Sequence, residues 1–537
     1  MKRILLAASL TLTPFIALAG AQVASPAIPP TALSEQAGLN ADAGHCEKAC
    51  AQLQSELSSR VFFAKFGNFA FWDAKQHVTP ACRVEPASAQ DVVVVLNTVK
   101  EHGCHFAVKS GGHARFAGAS NADGGVTIDL VRLDEIGLAA DKKSVRIGAG
   151  NRWGRIYRKL EGDKLTVVGG RVATVGVGGA TLGGGISFFT GRHGFACDNV
   201  LSYEIVLPSG EITTVSETQH GDLFKALKGA GSGNFGIITS FNLTTIPLTN
   251  PLGIWSSQQI LGWDKVPALR KARLEWVTKG VNEDFDTGGF DVFGYSSAYN
   301  MSMAVIHHLH TRHSSTETWP AVFKQYKDIE TLPMENSNSQ KITPMSEVTE
   351  ELAKNSPNGK RNTYDTFTYR PTEDLDAALW EIFTARLEKV KHIPGFNGFM
   401  VLQPISQQAR YKMSLRGGNS LGLKESDGPL VIYQQAWMWD RAEDDALIFA
   451  TVRDIVEQSE QMAKKMGLWH PYKYINYAEE WQAGDVYKGY GEDNLRTLKA
   501  LQRRLDPEGV FTEGGLGGGY FRLNAKVENG LRDRNEL

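Results

Sequence analysis

Phe106-Ala-Val-Lys109, followed at once by Ser110-Gly-Gly-His113, is the most informative segment of this 537-residue chain. The apolar residues before Lys109 predict a short strand, and the two glycines after it allow successive backbone N–H groups to converge on an anion. Such a nest suits a pyrophosphate, and a histidine at its end is held beside whatever the pyrophosphate carries. The segment therefore predicts a site for a pyrophosphate-containing ligand.

A second glycine-rich passage follows further along the chain. It contains Gly176-Val-Gly-Gly179 and Gly183-Gly-Gly185, and Arg171-Val-Ala-Thr-Val175 precedes it. Because glycine has no side chain, such a passage lets a flat ring lie against the backbone. The occurrence of several glycine runs in one region favours ligand binding over unrelated structural turns.

A third run, Gly231-Ser-Gly-Asn-Phe-Gly236, matches the Gly-x-Gly-x-x-Gly pattern of nicotinamide-dinucleotide folds. Its context is the reverse of what that fold requires, because a predicted helix precedes it and a predicted strand follows. The run at Gly176 fails the same pattern, since Thr181 stands at the position of the third glycine. The sequence has no Walker-type P-loop either, so both nucleotide folds are disfavoured.

The first half of the chain mixes helices and strands, and this α+β pattern ends near Pro247. From about Leu252 capped helices alternate with strands, and nine of the 11 tryptophans lie in this later part. These tryptophans suit the lining of an aromatic or carbohydrate site, although packing in a core is expected for most of them. Segments with helical spacing are 46–57, 87–101 (capped by Ser88), 153–161 and 222–228, and strands are predicted at 126–130, 144–148, 203–207, 211–215 and 236–243.

Composition and charge exclude several classes of protein. The 57 Lys and Arg residues nearly balance the 59 Asp and Glu residues, so the net charge is −2 and no basic field for nucleic acid exists. With 42% hydrophobic and 22% charged residues, the chain has the composition of a folded enzyme. No segment is a convincing membrane span, so a membrane partner is not expected either.

Residues 1–21 have the pattern of a secretory signal peptide. Lys2 and Arg3 precede an apolar stretch, and the small residues between Ala17 and Ala21 offer a cleavage site. Asn242-Leu-Thr and Asn300-Met-Ser would be glycosylation sequons in a eukaryotic host. We therefore expect a secreted protein, and a glycoprotein if the host is eukaryotic.

The number and positions of the cysteines are consistent with a secreted protein. Cys46, Cys50, Cys82 and Cys104 cluster early in the chain, whereas Cys197 stands apart. In an oxidising compartment the four clustered cysteines suggest one or two disulfides, with three possible pairings.

Five motifs occur in a fixed order: Lys109-Ser-Gly-Gly-His113, Val175-Gly-Val-Gly-Gly179 with Gly183-Gly-Gly185, Cys197-Asp-Asn, Gly231-Ser-Gly-Asn-Phe-Gly236 and Tyr474-Ile-Asn-Tyr477. In this set the chain resembles the FAD-linked oxidases of the vanillyl-alcohol-oxidase superfamily, in the berberine-bridge-enzyme-like branch, and most closely secreted fungal members. The resemblance covers nearly the whole chain from about Cys46.

The resemblance implies an α+β fold in which a PCMH-type FAD-binding domain, built from N- and C-terminal parts, surrounds an inserted α+β substrate domain with an antiparallel sheet. The FAD-binding domain is expected at 46–250, with a core at about 78–249. The substrate domain is expected at 251–470, and residues 471–537 return to the FAD-binding domain. A monomer is expected.

The resemblance also assigns cofactor-binding residues. Backbone N–H groups of the nest would hold the FAD pyrophosphate, and His113 would be joined covalently to the flavin 8α-methyl group. Many relatives add a second link through a cysteine, but Val172 occupies that position here, so a single histidyl link is expected. The full set is Ser110, Gly111, Gly112, His113, Ala114, Val175, Gly178, Gly179, Gly183, Gly236 and Ile238. Val175 stands where, in the family, valine accompanies oxidases, which implies dioxygen as acceptor and hydrogen peroxide as product.

A flavin oxidase needs a base to take the proton that accompanies C–H cleavage. The family places the Tyr474-Ile-Asn-Tyr477 motif beside the flavin, so we expect Tyr474 as base and Asn476 as a hydrogen-bonding partner of the ring or substrate. A tyrosine with an ordinary pKa of about 10 needs a positive charge or a hydrogen bond to act at neutral pH, and the sequence does not name that partner.

Gln434 matches a strand position that points toward substrate in relatives. Strand alternation puts Gln434 on one face with Ile432, and Tyr433 and Gln435 on the other. Plant alcohol oxidases of this branch have a lysine where Ile432 stands and a tyrosine where Ile186 stands. These departures leave the substrate class open.

No metal site is expected. His307, His308, His310 and His313 lie in one predicted strand region that reads as partly exposed, without an acidic or cysteine ligand nearby. Asp129 is expected to cap a strand end.

The preferred reading is a secreted FAD oxidase that acts on a small organic molecule, such as a secondary-metabolite intermediate, with possible ring closure. An oligosaccharide oxidase is an alternative, and so is a redox-neutral flavin-containing isomerase or cyclase. A glycan-binding protein with a degenerate flavin fold would lack the intact nest and His113.

Overall fold

The computed structural model describes residues 36–63, 71–250, 252–518 and 521–524. The chain divides after Ala41: of the first part the structure describes only residues 36–41, which are helical, and the described residues from Asp42 onward form one compact unit. The predicted signal peptide lies outside the described residues.

The first half of the chain forms two sheets. One has the order β1-β2-β4-β3, in which β4 runs parallel to both of its neighbours and β1 is antiparallel to β2. The other is antiparallel, with the order β5-β6-β10-β8-β9 and β7 also paired with β10. The strands are β1 Val61–Phe63, β2 Cys82–Val84, β3 Phe106–Lys109, β4 Val126–Asp129, β5 Ile136–Leu138, β6 Ser144–Gly148, β7 Leu165–Val167, β8 Val200–Val206, β9 Ile212–Ser216 and β10 Ile237–Pro247.

The second half forms an eight-stranded antiparallel sheet with the order β14-β11-β13-β12-β16-β17-β15-β18. Its strands are β11 Ile254–Gly262, β12 Thr287–Ser296, β13 Met301–His310, β14 Asn338–Thr343, β15 Arg361–Tyr369, β16 Asn397–Ile405, β17 Leu430–Trp439 and β18 Trp469–His470.

The helices begin and end where local sequence signals place them. Ser88 accepts a hydrogen bond from the backbone N–H of Asp91 and so caps the second helix, which Gly103 ends in the left-handed region. The helices are α1 Gln36–Leu57, α2 Ala89–His102, α3 Trp153–Glu161, α4 Val177–Leu182, α5 Thr190–His193, α6 Gly221–Ala230, α7 Val266–Glu275, α8 Val281–Glu283, α9 Lys324–Lys327, α10 Met345–Lys354, α11 Glu373–Leu387, α12 Gln407–Met413, α13 Asp445–Lys465, α14 Ala483–Val486 and α15 Glu492–Leu505.

The large sheet separates two hydrophobic cores. On β17, Tyr433 and Trp437 belong to the core shared with α7, α11 and α13, whereas Ile432 belongs to the core of the first half of the chain. The predicted alternation of this strand is therefore confirmed. Four tryptophans are fully buried in the core shared with α7, α11 and α13: Trp255, Trp276, Trp437 and Trp439.

The last described segment packs back onto the first half of the chain. Arg115 donates hydrogen bonds to the carbonyl oxygens of Asn476 (3.0 Å) and Ala478 (2.6 Å). Gly517 forms a parallel bridge with Phe106, the first residue of β3. The residues after β18 therefore lie against the strand that leads into the glycine nest.

Two disulfides resolve the pairing that the sequence left open. Cys46 is bonded to Cys104 and Cys50 to Cys82, so both bridges hold α1 against the first sheet. Cys197 is a free, buried thiol. None of the described helices combines the length and apolar character needed to cross a membrane.

Candidate active site

The two glycine-rich segments meet backbone to backbone beside the end of β3. A Cβ atom built on Gly111 would lie 2.3 Å from the nitrogen of Gly176, and one on Gly176 would lie 2.4 Å from the nitrogen of Gly111. Ser110 ties the segments together, because its hydroxyl donates to the carbonyl of Ala149 (2.6 Å) and accepts from the N–H of Gly178 (3.2 Å). Glycine is required at both contact positions because any side chain would separate the segments.

Four consecutive N–H groups follow Ser110 and are available to a ligand. The amides of Gly111, Gly112, His113 and Ala114 donate to no acceptor within the part of the chain that the structure describes. Gly112 has φ +71°, the left-handed conformation that lets neighbouring N–H groups converge. A pyrophosphate fits this donor set, since it supplies several anionic oxygens to unpartnered N–H groups.

Open space adjoins the nest at Gly179. A Cβ atom built there would meet no other atom within 4 Å, although the neighbouring Gly178 is packed against Ser110. The passage thus combines tight backbone contact with a free surface on which a flat ring can lie.

His113 is held as a neutral imidazole. Its ring stacks on Trp72 at 4.4 Å between centroids, and its Nε2 shares a hydrogen bond of 3.1 Å with the hydroxyl of Thr174. Burial, together with the positive charges of Arg152 and Arg115, lowers the pKa of His113 to about 3. An unprotonated ring nitrogen is therefore available throughout the physiological pH range.

Tyr474 and Asn476 hold the glycine passage in place. The Tyr474 hydroxyl accepts hydrogen bonds from the N–H groups of Gly185 and Ile186, both at 3.2 Å, and from Nδ2 of Asn476 at 3.0 Å. Burial and the nearby Tyr477 raise the pKa of Tyr474 well above its usual value. Asn476 Nδ2 also donates to the carbonyl of Ala180 (3.0 Å). These contacts give Tyr474 and Asn476 an anchoring position.

Gly183 is glycine because of this anchor. A Cβ atom on Gly183 would lie 2.3 Å from Oδ1 of Asn476, so the asparagine side chain occupies the space that the glycine leaves.

Tyr477 has the cationic neighbour that the sequence does not reveal. Its half-buried hydroxyl accepts a hydrogen bond from Nη2 of Arg171 at 2.6 Å and donates to Oε1 of Gln403 at 3.5 Å. Gln403 in turn donates from Nε2 to Oε1 of Gln434 at 3.1 Å. Arg171, Tyr477, Gln403 and Gln434 therefore form one connected chain of polar side chains.

Aromatic rings connect this polar chain to His113. Tyr364, on β15, lies edge-on to Tyr477 at 5.9 Å and tilted to Trp72 at 5.6 Å. Since Trp72 stacks on His113, the structure brings the predicted linkage residue and the second tyrosine of the motif into one wall.

Four residues of this wall and its polar chain are not predicted from the sequence. Arg171 begins the Arg-Val-Ala-Thr-Val segment that precedes the second glycine run, whereas Gln403 lies on β16 without a motif of its own. Trp72 and Tyr364 gave no sequence signal, because only the chain's folding brings them beside His113.

Three predicted cofactor residues have packing contacts of their own. Val175 is half-buried, and its carbonyl accepts from the N–H of Trp153 (3.0 Å). Gly236 has φ +139°, and a Cβ atom there would lie 2.3 Å from the carbonyl oxygen of Val206. Ile238 is 5% exposed and pairs with Ile205 across β10 and β8.

The histidine-rich strand is partly exposed, as the sequence suggested, because His307 is half-buried, but two of its histidines, His308 and His310, are buried. His308 is fully buried and stacks on Phe323 at 4.2 Å. The described residues contain no group of three or more potential metal ligands. Asp129 accepts from the N–H of Val131 and pairs with Lys109 at 3.1 Å, which confirms its capping role.

Comparison with known proteins agrees with this arrangement. A family model described as an FAD binding domain matches residues 80–216. The FAD-dependent monooxygenase FUP4 of Fusarium proliferatum is 34% identical over 89% of this chain and 95% of its own length.

Two solved structures share the fold. BBE-like 1 of Physcomitrella patens matches with a TM-score of 0.71 and 18% identity, covering 88% of this chain and 99% of its own. The xylooligosaccharide oxidase of Myceliophthora thermophila matches with a TM-score of 0.69 and 21% identity, covering 91% and 100%. The chain thus has the fold of the berberine-bridge-enzyme-like structures. The FAD-binding domain and the FAD-dependent fungal relative show that it belongs to the same family as FUP4 and is an FAD-linked oxidoreductase.

Proposed function

We propose that the protein is a secreted FAD-dependent oxidase that dehydrogenates a small organic molecule and passes two electrons to dioxygen, which yields hydrogen peroxide. The observation that carries the proposal is the Arg171–Tyr477 pair, a tyrosine hydroxyl hydrogen-bonded to a guanidinium in the same wall as His113. The substrate is a secondary-metabolite intermediate, and dehydrogenation leads to ring closure where a nucleophile lies close. The two buried disulfides support an oxidising compartment.

The nest and the glycine passage would hold FAD. The amides of Gly111 to Ala114 would bind the pyrophosphate, and the open surface at Gly179 would receive the ring system. Bound FAD would supply the acceptor for the hydride that leaves the substrate carbon.

A single covalent bond through His113 would retain the cofactor outside the cell. The bond joins the unprotonated imidazole nitrogen to the 8α-methyl carbon; the methyl group loses one hydrogen and the other ring nitrogen loses its proton, so two protons and two electrons leave, which dioxygen accepts. The neutral state of His113 supports this role, because only an unprotonated ring nitrogen has a lone pair to donate.

We assign the role of base to Tyr477 instead of Tyr474. Tyr477 accepts the proton of a substrate hydroxyl or amine in this proposal, because its half-buried hydroxyl lies within hydrogen-bond reach of the Arg171 guanidinium and belongs to the polar chain through Gln403. Tyr474 is less suitable, because burial disfavours its phenolate and its hydroxyl already holds the glycine passage. Gln403 and Gln434 orient Tyr477 and the polar end of the substrate.

Val175 supports the choice of dioxygen as acceptor, because a valine at this family position leaves more room beside the ring than a leucine. The name of the Fusarium relative favours a second candidate, a monooxygenase that inserts one oxygen atom into its substrate. The two candidates differ in their products: the oxidase forms one peroxide for each substrate, whereas the monooxygenase consumes oxygen without forming stoichiometric peroxide.

The visible spectrum of the purified protein, before and after acid precipitation, tests the proposal. Flavin bands should remain with the precipitate of the wild type and of an exposed-site control, His392→Ala, and should pass to the supernatant for His113→Ala. Release of flavin from the wild type would exclude the covalent link, and a folded but colourless protein would exclude the function. A peroxide-coupled substrate screen, with oxygen uptake recorded in parallel, then separates oxidase from monooxygenase and from a redox-neutral isomerase or cyclase.

A further inference from the structure

Arg171 is the one charged side chain in the described lining of a pocket between the glycine passage and the large sheet. The pocket is also lined by Ile186, Ser187, Thr190, Trp276, Thr287 and Gln403. Its lining includes hydroxyl, amide and apolar groups but, within the described residues, no carboxylate. The one formal charge that a ligand meets in this described lining is therefore a guanidinium.

The guanidinium of Arg171 has aromatic neighbours in place of an acidic partner. It lies 5.0 Å from the ring centroid of Phe290 and 5.8 Å from that of Phe188. No described carboxylate forms an ion pair with it; Asp286, which precedes the pocket residue Thr287, is already paired with Arg192 at 2.5 Å and with Arg312 at 3.2 Å.

Within the described residues, most N–H donors of the Arg171 guanidinium have no hydrogen-bond acceptor. A guanidinium has five N–H donors, and the only hydrogen bond that the described residues give Arg171 is the one from Nη2 to Tyr477. Partial burial without a counter-charge costs free energy, which an anionic ligand would recover. The planar fork of donors matches a carboxylate, and the surrounding rings match a flat unsaturated body.

We propose that Arg171 binds a carboxylate of the substrate, so that the substrate class is an aromatic or conjugated organic acid. The proposal rests on the proposed function and adds the charge of the molecule that the site accepts. Arg171 thus has two partners at once: the hydroxyl of Tyr477, to which its Nη2 donates, and the acid group of the substrate on the side of the pocket.

Ligand binding tests the proposal without any turnover. Benzoate and its neutral isostere benzamide would be titrated into the flavin-loaded protein, with heat and the visible flavin spectrum as readouts. Benzoate should bind at least about tenfold more tightly than benzamide, as expected for a charge-assisted bidentate contact, and high salt should weaken benzoate binding only. Equal affinities would overturn the proposal even if the protein contains flavin and forms peroxide.

Two variants distinguish a direct contact between Arg171 and the carboxylate from a general effect of positive charge near the pocket. Arg171→Gln should abolish the preference for benzoate, whereas Arg192→Gln, which removes a nearby arginine already paired with Asp286, should keep it. Arg171→Lys keeps the charge and serves as the second test if Arg171→Gln does not fold; it should keep a reduced preference. If Arg171→Gln still binds benzoate more tightly than benzamide, another group binds the carboxylate and the proposal is wrong.

Failure of this proposal and failure of the proposed function give different results. Absence of flavin or of peroxide would contradict the oxidase assignment, whereas the preference for benzoate concerns Arg171 alone.

Discussion

Tyr474 and Tyr477 are three residues apart in one motif, but their hydroxyl groups have different partners. Tyr474 accepts from three N–H donors of the protein, whereas Tyr477 is half-buried beside Arg171 and the pocket. Tyr474→Phe should lower the free energy of unfolding by about 2–4 kcal/mol, because it leaves buried donors without an acceptor. Tyr477→Phe should change it by less than about 1 kcal/mol. Urea unfolding of both variants measures the difference.

The same two variants distinguish the structural role of Tyr474 from the proposed role of Tyr477 as the base. With a substrate in hand, Tyr477→Phe should reduce the rate of flavin reduction at least about a hundredfold, as loss of a general base does. Tyr474→Phe, where it folds, should retain a larger share of that rate. Equal stability of the two variants, or a base effect confined to Tyr474, would contradict the assignment.

His113 provides a prediction about pH. Its pKa is lowered from 6.5 to about 3, so the neutral form persists at pH 5, where an ordinary histidine is about thirtyfold depleted in it. Covalent flavin attachment to flavin-free protein should therefore proceed as fast at about pH 5 as at about pH 7.5. Acid-stable flavin, followed over time at both pH values, measures the rate.

An attachment rate that falls with decreasing pH would contradict this prediction. If His113 had its ordinary pKa, the attachment rate would fall with decreasing pH around a midpoint near 6.5. Circular dichroism at both pH values ensures that the fold is intact, so that such a fall would exclude the burial-based explanation.

At the scale of elements, the junction between β3 and α4 depends on backbone contact. Gly111→Ala would place a methyl group 2.3 Å from the nitrogen of Gly176, so we expect a loss of about 3 kcal/mol in stability or more. Gly179→Ala, on α4, meets no atom within 4 Å and should be neutral or gain up to about 1 kcal/mol from helix propensity. Thermal unfolding of the two variants measures both effects.

Flavin content distinguishes the two glycines further. Gly179→Ala places a methyl group in the open space beside the nest, so the stable variant should lose bound flavin. A Gly179→Ala protein with full flavin content would show that the ring system does not use this surface. A stable Gly111→Ala protein would show that the two segments can separate at little cost.

Local signals predicted most elements but only part of the site. Ser88 begins α2 and the Pro-Ser-Gly turn at 208–210 joins β8 to β9, because caps and turns depend on neighbouring residues. The Arg171–Tyr477 contact spans more than three hundred positions, and no local pattern encodes it. Gln434 was predicted from the family resemblance, and strand alternation gave only its face, whereas Trp72 entered the site only through its stacking on His113.

At the scale of the whole molecule, the disulfide pairing is also a long-range feature that local sequence does not determine. Cys46 and Cys50 lie one helical turn apart on the buried face of α1, together with Ala49, Leu53 and Leu57. Both cysteines therefore face the first sheet, and local sequence cannot say which one reaches Cys82 and which one Cys104. Only the position of α1 along that sheet decides the pairing.

The two bridges close loops with sequence separations of 58 and 32 residues, and all four cysteines are at most 1% exposed. On the chain-entropy model each bridge contributes about 4 kcal/mol by restricting the unfolded chain. The double variant Cys46→Ser/Cys104→Ser should therefore unfold at markedly lower urea concentration than the wild type, whereas Cys197→Ala, which removes the free thiol, should lose only the packing of one sulfur atom. Disulfides persist only in an oxidising compartment. If the protein were equally stable with and without reductant, the bridges would no longer support the proposed secretion. A protein that unfolds when reduced would tie its fold, and with it the flavin site, to an oxidising compartment.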